Sequence, residues 1–77
     1  MELNDEIYVV CDNQYVIIFD YQSGEFYSCD GNIAKLLIGI KNGKSENILR
    51  SYYDIAEEYE NDLSELLKLK LIKKINI

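Results

Sequence analysis

Glu25-Phe26-Tyr27-Ser28-Cys29, followed by Asp30-Gly31-Asn32-Ile33-Ala34, is where the chain changes character. Before it, apolar residues recur with the period of strands; after it, they recur with the period of helices. Working back, Gln14 to Asp20 reads Gln-Tyr-Val-Ile-Ile-Phe-Asp, apolar on both faces as a central strand should be. Glu6 to Cys11 reads as a strand before it, joined by a two-residue turn at Asp12-Asn13, a pair that tolerates positive φ. Asp20-Tyr21-Gln22-Ser23-Gly24 is a compact turn. Asp20 is placed to bond the amides ahead of it, and Gly24 to take the left-handed position that closes the loop.

Working forward, Asp30 is placed as an N-cap. Ile33, Leu36, Leu37 and Ile40 form the inner stripe of a first helix, which Gly39 and Asn42-Gly43 end. Ser45 caps a short second helix with Ile48, Leu49 and Tyr52 inward. Asp54, with Glu57 three residues on, resembles a capping box for a third helix. Its inner face is traced by Ile55, Ala56, Tyr59, Leu63, Leu66 and Leu67, and Leu71, Ile72 and Ile75 close the core. The fold class expected is α+β: a three-stranded antiparallel sheet followed by three helices, laid out like a winged helix-turn-helix with its strands first.

Seventy-seven residues suffice for one core, so residues 1–77 read as a single domain. A chain this short buries only about 60% of its unfolded surface. Fourteen acids against eight bases give a net charge of −6, which speaks against phosphate-backbone binding. The basic cluster Lys68, Lys70, Lys73 and Lys74 reads as a helix end complementing its dipole. No apolar run approaches the roughly 20 residues of a membrane span. The acidic N-terminus lacks the features of a secretory signal, so a cytoplasmic location is expected. Cys11 and Cys29 fall on outer strands separated by a central one, about 10 Å apart, too far for a disulfide.

Catalysis has little to rest on. There is no histidine to serve as a base, and no glycine-rich phosphate loop or metal-ligand cluster. Asp12, Asp20, Asp30 and Asp54 each have a turn or cap role. Neither an enzyme activity nor a cofactor is expected. Most of the seven tyrosines read as edge-of-core residues with wet hydroxyls. Tyr27 and Tyr59 are placed to line a groove between the third strand and the third helix. That strand has no Pro and no Lys to blunt its open edge. Such an edge is covered from within, pairs with a second copy, or accepts a peptide by strand addition.

The order of three strands, then Tyr27-Ser28-Cys29-Asp30 with Ile33-Ala34 and Leu36-Leu37, then Lys41-Asn42-Gly43-Lys44-Ser45, resembles the PqqD-like proteins. These are the RiPP recognition elements, peptide-binding domains of ribosomal natural-product pathways. The Asp20-to-Gly24 turn is similar to the family's Asp-Pro-Xaa-Xaa-Gly turn. Asp62-Leu63, Leu66-Leu67 and Lys70-Leu71-Ile72 are similar to its C-terminal signature. The pattern is departed from in three places: Ser28-Cys29 stands for Leu-Asn, Asn42 for Asp, and Lys70 for a glycine.

The resemblance implies a function: binding the leader segment of a precursor peptide as an extra strand beside the third strand, against the third helix. The core peptide is then presented to a separate enzyme such as a radical SAM maturase, a leader peptidase or a cyclase. It implies Glu25, Phe26, Tyr27, Ser28 and Cys29 on the strand side and Ile55, Glu58, Tyr59 and Asp62 near the helix side. Glu58 and Asp62 are suited to Lys or Arg on the leader. No nucleic acid, membrane or metal partner is expected, and the protein is expected to be a monomer or weak dimer. The rival readings are a winged-helix DNA-binding regulator, whose third helix would set Glu57, Glu58, Glu60 and Asp62 against phosphates, and a homodimeric adaptor joined through the same edge.

Overall fold

A computed structural model describes residues 1–11 and 15–74. The strands are β1 (Glu2–Leu3), β2 (Ile7–Cys11), β3 (Tyr15–Asp20), β4 (Phe26–Asp30) and β5 (Ile72–Lys73). The helices are α1 (Gly31–Lys41), α2 (Glu46–Ser51) and α3 (Ala56–Lys68). The third strand of the sequence reading is therefore β4. The Asp12-Asn13 turn, Gln14 and Ile75 lie outside the described residues.

The fold is α+β. β2, β3 and β4 make an antiparallel sheet in that order, with Val9 opposite Ile18 and Ile18 opposite Tyr27. Alternation sends Val9, Val16 and Ile18 inward, all buried, and places Tyr27 and Cys29 half-buried against them. α1 packs against β3 and β4, and buries Leu36 and Leu37 completely. The Asp20 turn forms as read. The amides of Gln22 and Ser23 donate to Asp20 Oδ1 (2.9 and 3.4 Å), and Gly24 has φ 74°.

A second, two-stranded sheet was not expected. β1 pairs with β5, Glu2 facing Lys73 and Leu3 facing Ile72. Lys73 Nζ reaches Glu2 and Asp5 at 3.3 and 3.2 Å, so this lysine ties one chain end to the other instead of serving a helix end. Two-residue strands carry no periodicity to read, and only the long-range packing creates them.

Four local readings need correction. Gly39 does not end α1 but lies inside it, buried where α2 crosses; a Cβ there would meet Leu49 Cδ2 at 2.5 Å. Ile48 points outward, and Leu49 is the buried residue of α2. Asp54 does not cap α3; Ile55 holds the N-cap position with no side-chain bond. Asp30 holds the N-cap position of α1 but its carboxylate makes no cap bond either. Ser45 does cap α2, accepting from the Ile48 amide at 3.4 Å.

Both longer helices end in the same bonding pattern. After α1, Gly43 N–H donates to Ile40 and Lys44 N–H to Gly39. After α3, Lys70 N–H donates to Leu67 and Leu71 N–H to Leu66. This closure needs a left-handed residue just past the cap, normally glycine. Gly43 meets it with φ 72°; at the second site Lys70 meets it with φ 60°. Lys70 thus holds a backbone conformation that its side chain disfavours and that glycine would adopt freely. Lys70→Gly is expected to raise the unfolding free energy by up to about 1 kcal/mol, read as a higher denaturant midpoint.

Candidate functional site

The sheet has two outer strands, and hydrogen-bond parity decides which offers an open edge. The Asp20 amide donates to the Glu25 carbonyl at 2.9 Å, so Asp20 and Glu25 form a bonded pair. In an antiparallel ladder bonded pairs recur every second residue. Tyr27 and Cys29 therefore turn their main-chain groups toward β3, opposite Ile18 and Val16. Phe26 and Ser28 turn theirs away from β3, to the free side of β4. Among the described residues no group bonds to the Phe26 or Ser28 main chain from that side.

The same parity applies to β2. The Tyr21 amide donates to the Glu6 carbonyl at 2.9 Å, which puts Ile7 and Val9 on the outer side. There the Ile7 amide donates to the Asn4 carbonyl (3.2 Å), and Lys41 Nζ donates to the Val9 carbonyl (3.5 Å). The edge of β2 is thus partly covered from within and carries a cation, while among the described residues that of β4 has neither. Nothing local in the sequence marks Lys41, because its partner lies across the fold.

The strand residues divide by role. Glu25 is not part of the open edge: its amide donates to Ser23 Oγ and its carbonyl is taken by Asp20. Its carboxylate accepts from Tyr27 Oη at 2.8 Å, and this bond, first, with burial and nearby negative charge adding to it, raises the Tyr27 phenol above its usual range. Burial, chiefly, and then the Asp30 carboxylate push the Cys29 thiol up, away from thiolate reactivity. Both cysteines are free. Phe26 is 72% exposed. Beside Ser28 lies a shallow depression of ≈ 520 Å³ lined by Tyr15, Ile17, Ser28, Cys29 and Asp30.

On α3, periodicity brings Ile55, Glu58 and Asp62 onto one accessible stripe at spacings of three and four. Glu65 and Leu69 continue it at the same spacing, a signal that the sequence alone carries. Ile55 is 53% exposed, and so lies on the surface and not on the inner face. Asp62 Oδ2 accepts from Tyr53 Oη at 2.6 Å, which fixes its carboxylate. Tyr59 does not share this stripe. It is wholly buried with Leu63 and Leu66, so it cannot line a groove with its ring. The Arg50 guanidinium sits 4.7 Å over that ring, bonded in turn to Glu46 and Glu60 at 3.0 and 3.2 Å.

Tyr59 Oη is buried with no hydrogen-bond partner among the described residues. A hydroxyl in that state is a net cost. Tyr59→Phe is therefore expected to leave stability unchanged or raise it by about 1 kcal/mol, whereas truncation to Ala would open a cavity; denaturant titration of both variants checks this.

Burial, then the bond to Asp62 and its charge, raise the Tyr53 phenol; burial is also the first cause for Tyr59. A raised folded pKa means that the native state holds its proton longer than the unfolded chain. The stabilisation is complete below the free tyrosine value of about 10 and is lost as pH climbs above it. Alkaline unfolding titrations should show stability falling above about pH 10, with a shallower decline in Tyr53→Phe.

No helix among the described residues is long and apolar enough to cross a membrane, and no group of three acids or cysteines there could hold a metal ion. No family model matches the chain, and no curated protein matches it. One solved structure does: TbiB1 in complex with the TbiA(beta) leader peptide, at a TM-score of 0.83, covering 100% of both chains at 14% identity. This chain has the TbiB1 fold. At that identity the agreement lies in the backbone: the strand order, the helix order and their placement.

Proposed function

We propose that this protein is a RiPP recognition element that binds the leader segment of a ribosomally made precursor peptide. The leader adds as a strand along β4, and the domain presents the rest of the precursor to a separate modifying enzyme, such as a radical SAM maturase, leader peptidase or cyclase. The domain itself is non-catalytic. The observation that carries this reading is the open edge of β4 beside the partly covered edge of β2. The shared backbone with TbiB1, a protein solved with a leader peptide, supports it.

The main-chain groups of Phe26 and Ser28 take the peptide's hydrogen bonds. Tyr27 and Cys29 act from behind by holding β4 to β3, and Glu25 anchors Tyr27. Ile55, Glu58 and Asp62 form the helix wall, with Tyr59 as its buried support. Exposed Glu58 and half-buried Asp62 favour a leader carrying Lys or Arg. Neither a cofactor nor a nucleic acid takes part.

Calorimetric titration of the full chain with the leader segment of a precursor encoded beside it tests this reading. Saturable one-to-one binding at micromolar or tighter affinity is expected. Absence of heat and of any amide shift at millimolar peptide would contradict it. So would a stable dimer that buries β4 against a second β4.

A further inference from the structure

Among the described residues, helices cover only one face of the β2-β3-β4 sheet. The other is open, and an open face normally alternates to polar residues. Here the outward positions of β2 and β3 are Tyr8, Val10, Tyr15, Ile17 and Phe19, and β4 adds Phe26. Tyr8 lies directly opposite Phe19, and Phe19 opposite Phe26. Their rings run on without a break: Phe19 and Phe26 are 4.7 Å apart by centroid, Phe19 and Tyr21 4.9 Å, and Tyr21 and Tyr8 6.4 Å. A contiguous aromatic surface of this kind marks an interaction site in a water-soluble domain. Aromatic enrichment with no lysine is also the composition of interface centres.

Charge identifies the partner. From Met1 to Ala34 there is no Lys or Arg, while seven of the fourteen acids fall there. Residues 35–77 hold all eight bases against the other seven acids, so the whole negative balance sits on the sheet half. Asp30 occupies an outward position opposite Tyr15, and Glu6 falls on the same face two residues before Tyr8. A second copy of this chain would bring one acidic rim against another. A surface of the opposite sign would be steered in and held in register.

We infer that the outer face of this sheet is a docking surface for a partner protein presenting an apolar patch ringed by Lys and Arg. Tyr8, Phe19 and Phe26 supply the contact area at its centre, and Glu6 and Asp30 the complementary rim. The inference stands whether or not β4 takes up a peptide, because it concerns side chains of the face and not main-chain groups of the edge.

The probe is a disulfide-closed β-hairpin peptide with Leu and Trp on one face and Arg around it. Its edges are N-methylated so that it cannot add as a strand. Titrated into the isotope-labelled full chain, it is expected to bind saturably with shifts centred on Tyr8, Val10, Ile17 and Phe19. The same hairpin rimmed with Glu should bind at least tenfold more weakly, and Tyr8→Ser/Val10→Ser should lose at least tenfold for the Arg hairpin while leader binding is unchanged. Equal affinity for both hairpins would overturn the inference, as would shifts centred elsewhere. A dimer seen by sedimentation and dissolved by the same double variant would assign the face to a second copy instead.

Discussion

Ser28→Pro is expected to lower leader-peptide affinity at least tenfold, about 1.4 kcal/mol, without unfolding the domain. Proline removes one amide hydrogen and fixes φ near −65°. At position 28 that amide faces away from β3, so the ladder that holds β4 keeps its bonds, and proline is tolerated on such an edge. What is lost is a donor to the incoming strand, and the ring obstructs its approach. Tyr27→Pro, one residue earlier, removes a donor to Ile18 and is expected to unfold β4. Ser28→Ala keeps the amide and is expected to bind like the parent. Calorimetry on the three variants, with circular dichroism for the fold, separates an edge role from a side-chain role. Weak binding by Ser28→Ala would move the recognition from main chain to hydroxyl.

Leu36→Ala is expected to cost about 2–5 kcal/mol. Leu36 is fully buried in α1, the helix that supports β3 and β4. A domain of this size holds only about 4–12 kcal/mol in total, so the variant would lose much of its margin. Its denaturant midpoint should fall sharply with an unchanged slope, and peptide affinity should drop only as far as the unfolded fraction rises. Ile55→Ser offers the contrast. Ile55 is half exposed, so stability should barely change while peptide affinity falls.

Much of this architecture was legible in the residues. The switch of period at Asp30, the Asp20-to-Gly24 turn and the Asn42-Gly43 stop are local signals, and each forms as read. What was not legible depends on contacts distant in sequence. β1 and β5 exist only because the chain ends meet, and Lys41 finds Val9 across the sheet. Gly39 looked like a stop because glycine often is one; its reason is the close approach of Leu49. Asp54 looked like a cap because of its spacing to Glu57, but the helix starts one residue later and leaves that carboxylate without the role.

The open edge at the candidate site was legible in outline and not in detail. Absence of Pro and Lys marked Phe26 to Cys29 as an open edge. Which of those residues face the edge depends on the register with β3, which the Asp20–Glu25 bond fixes. The residue pattern suits Tyr59 to both core and groove; it is buried with Leu63 and Leu66, in the core. Lys70 carries no local signal of a left-handed position, yet it adopts the backbone conformation that a glycine would serve.

Amide hydrogen exchange of the full chain, with and without leader peptide, tests the central claim most directly. Tyr27 and Cys29 amides should be protected in both states, because they bond to β3. Phe26 and Ser28 amides should exchange quickly in the free protein and slow by at least tenfold on binding, while Ile7 and Val9 on β2 stay unchanged. Protection gained on β2, or equal changes at all four β4 amides, would contradict an added strand at β4.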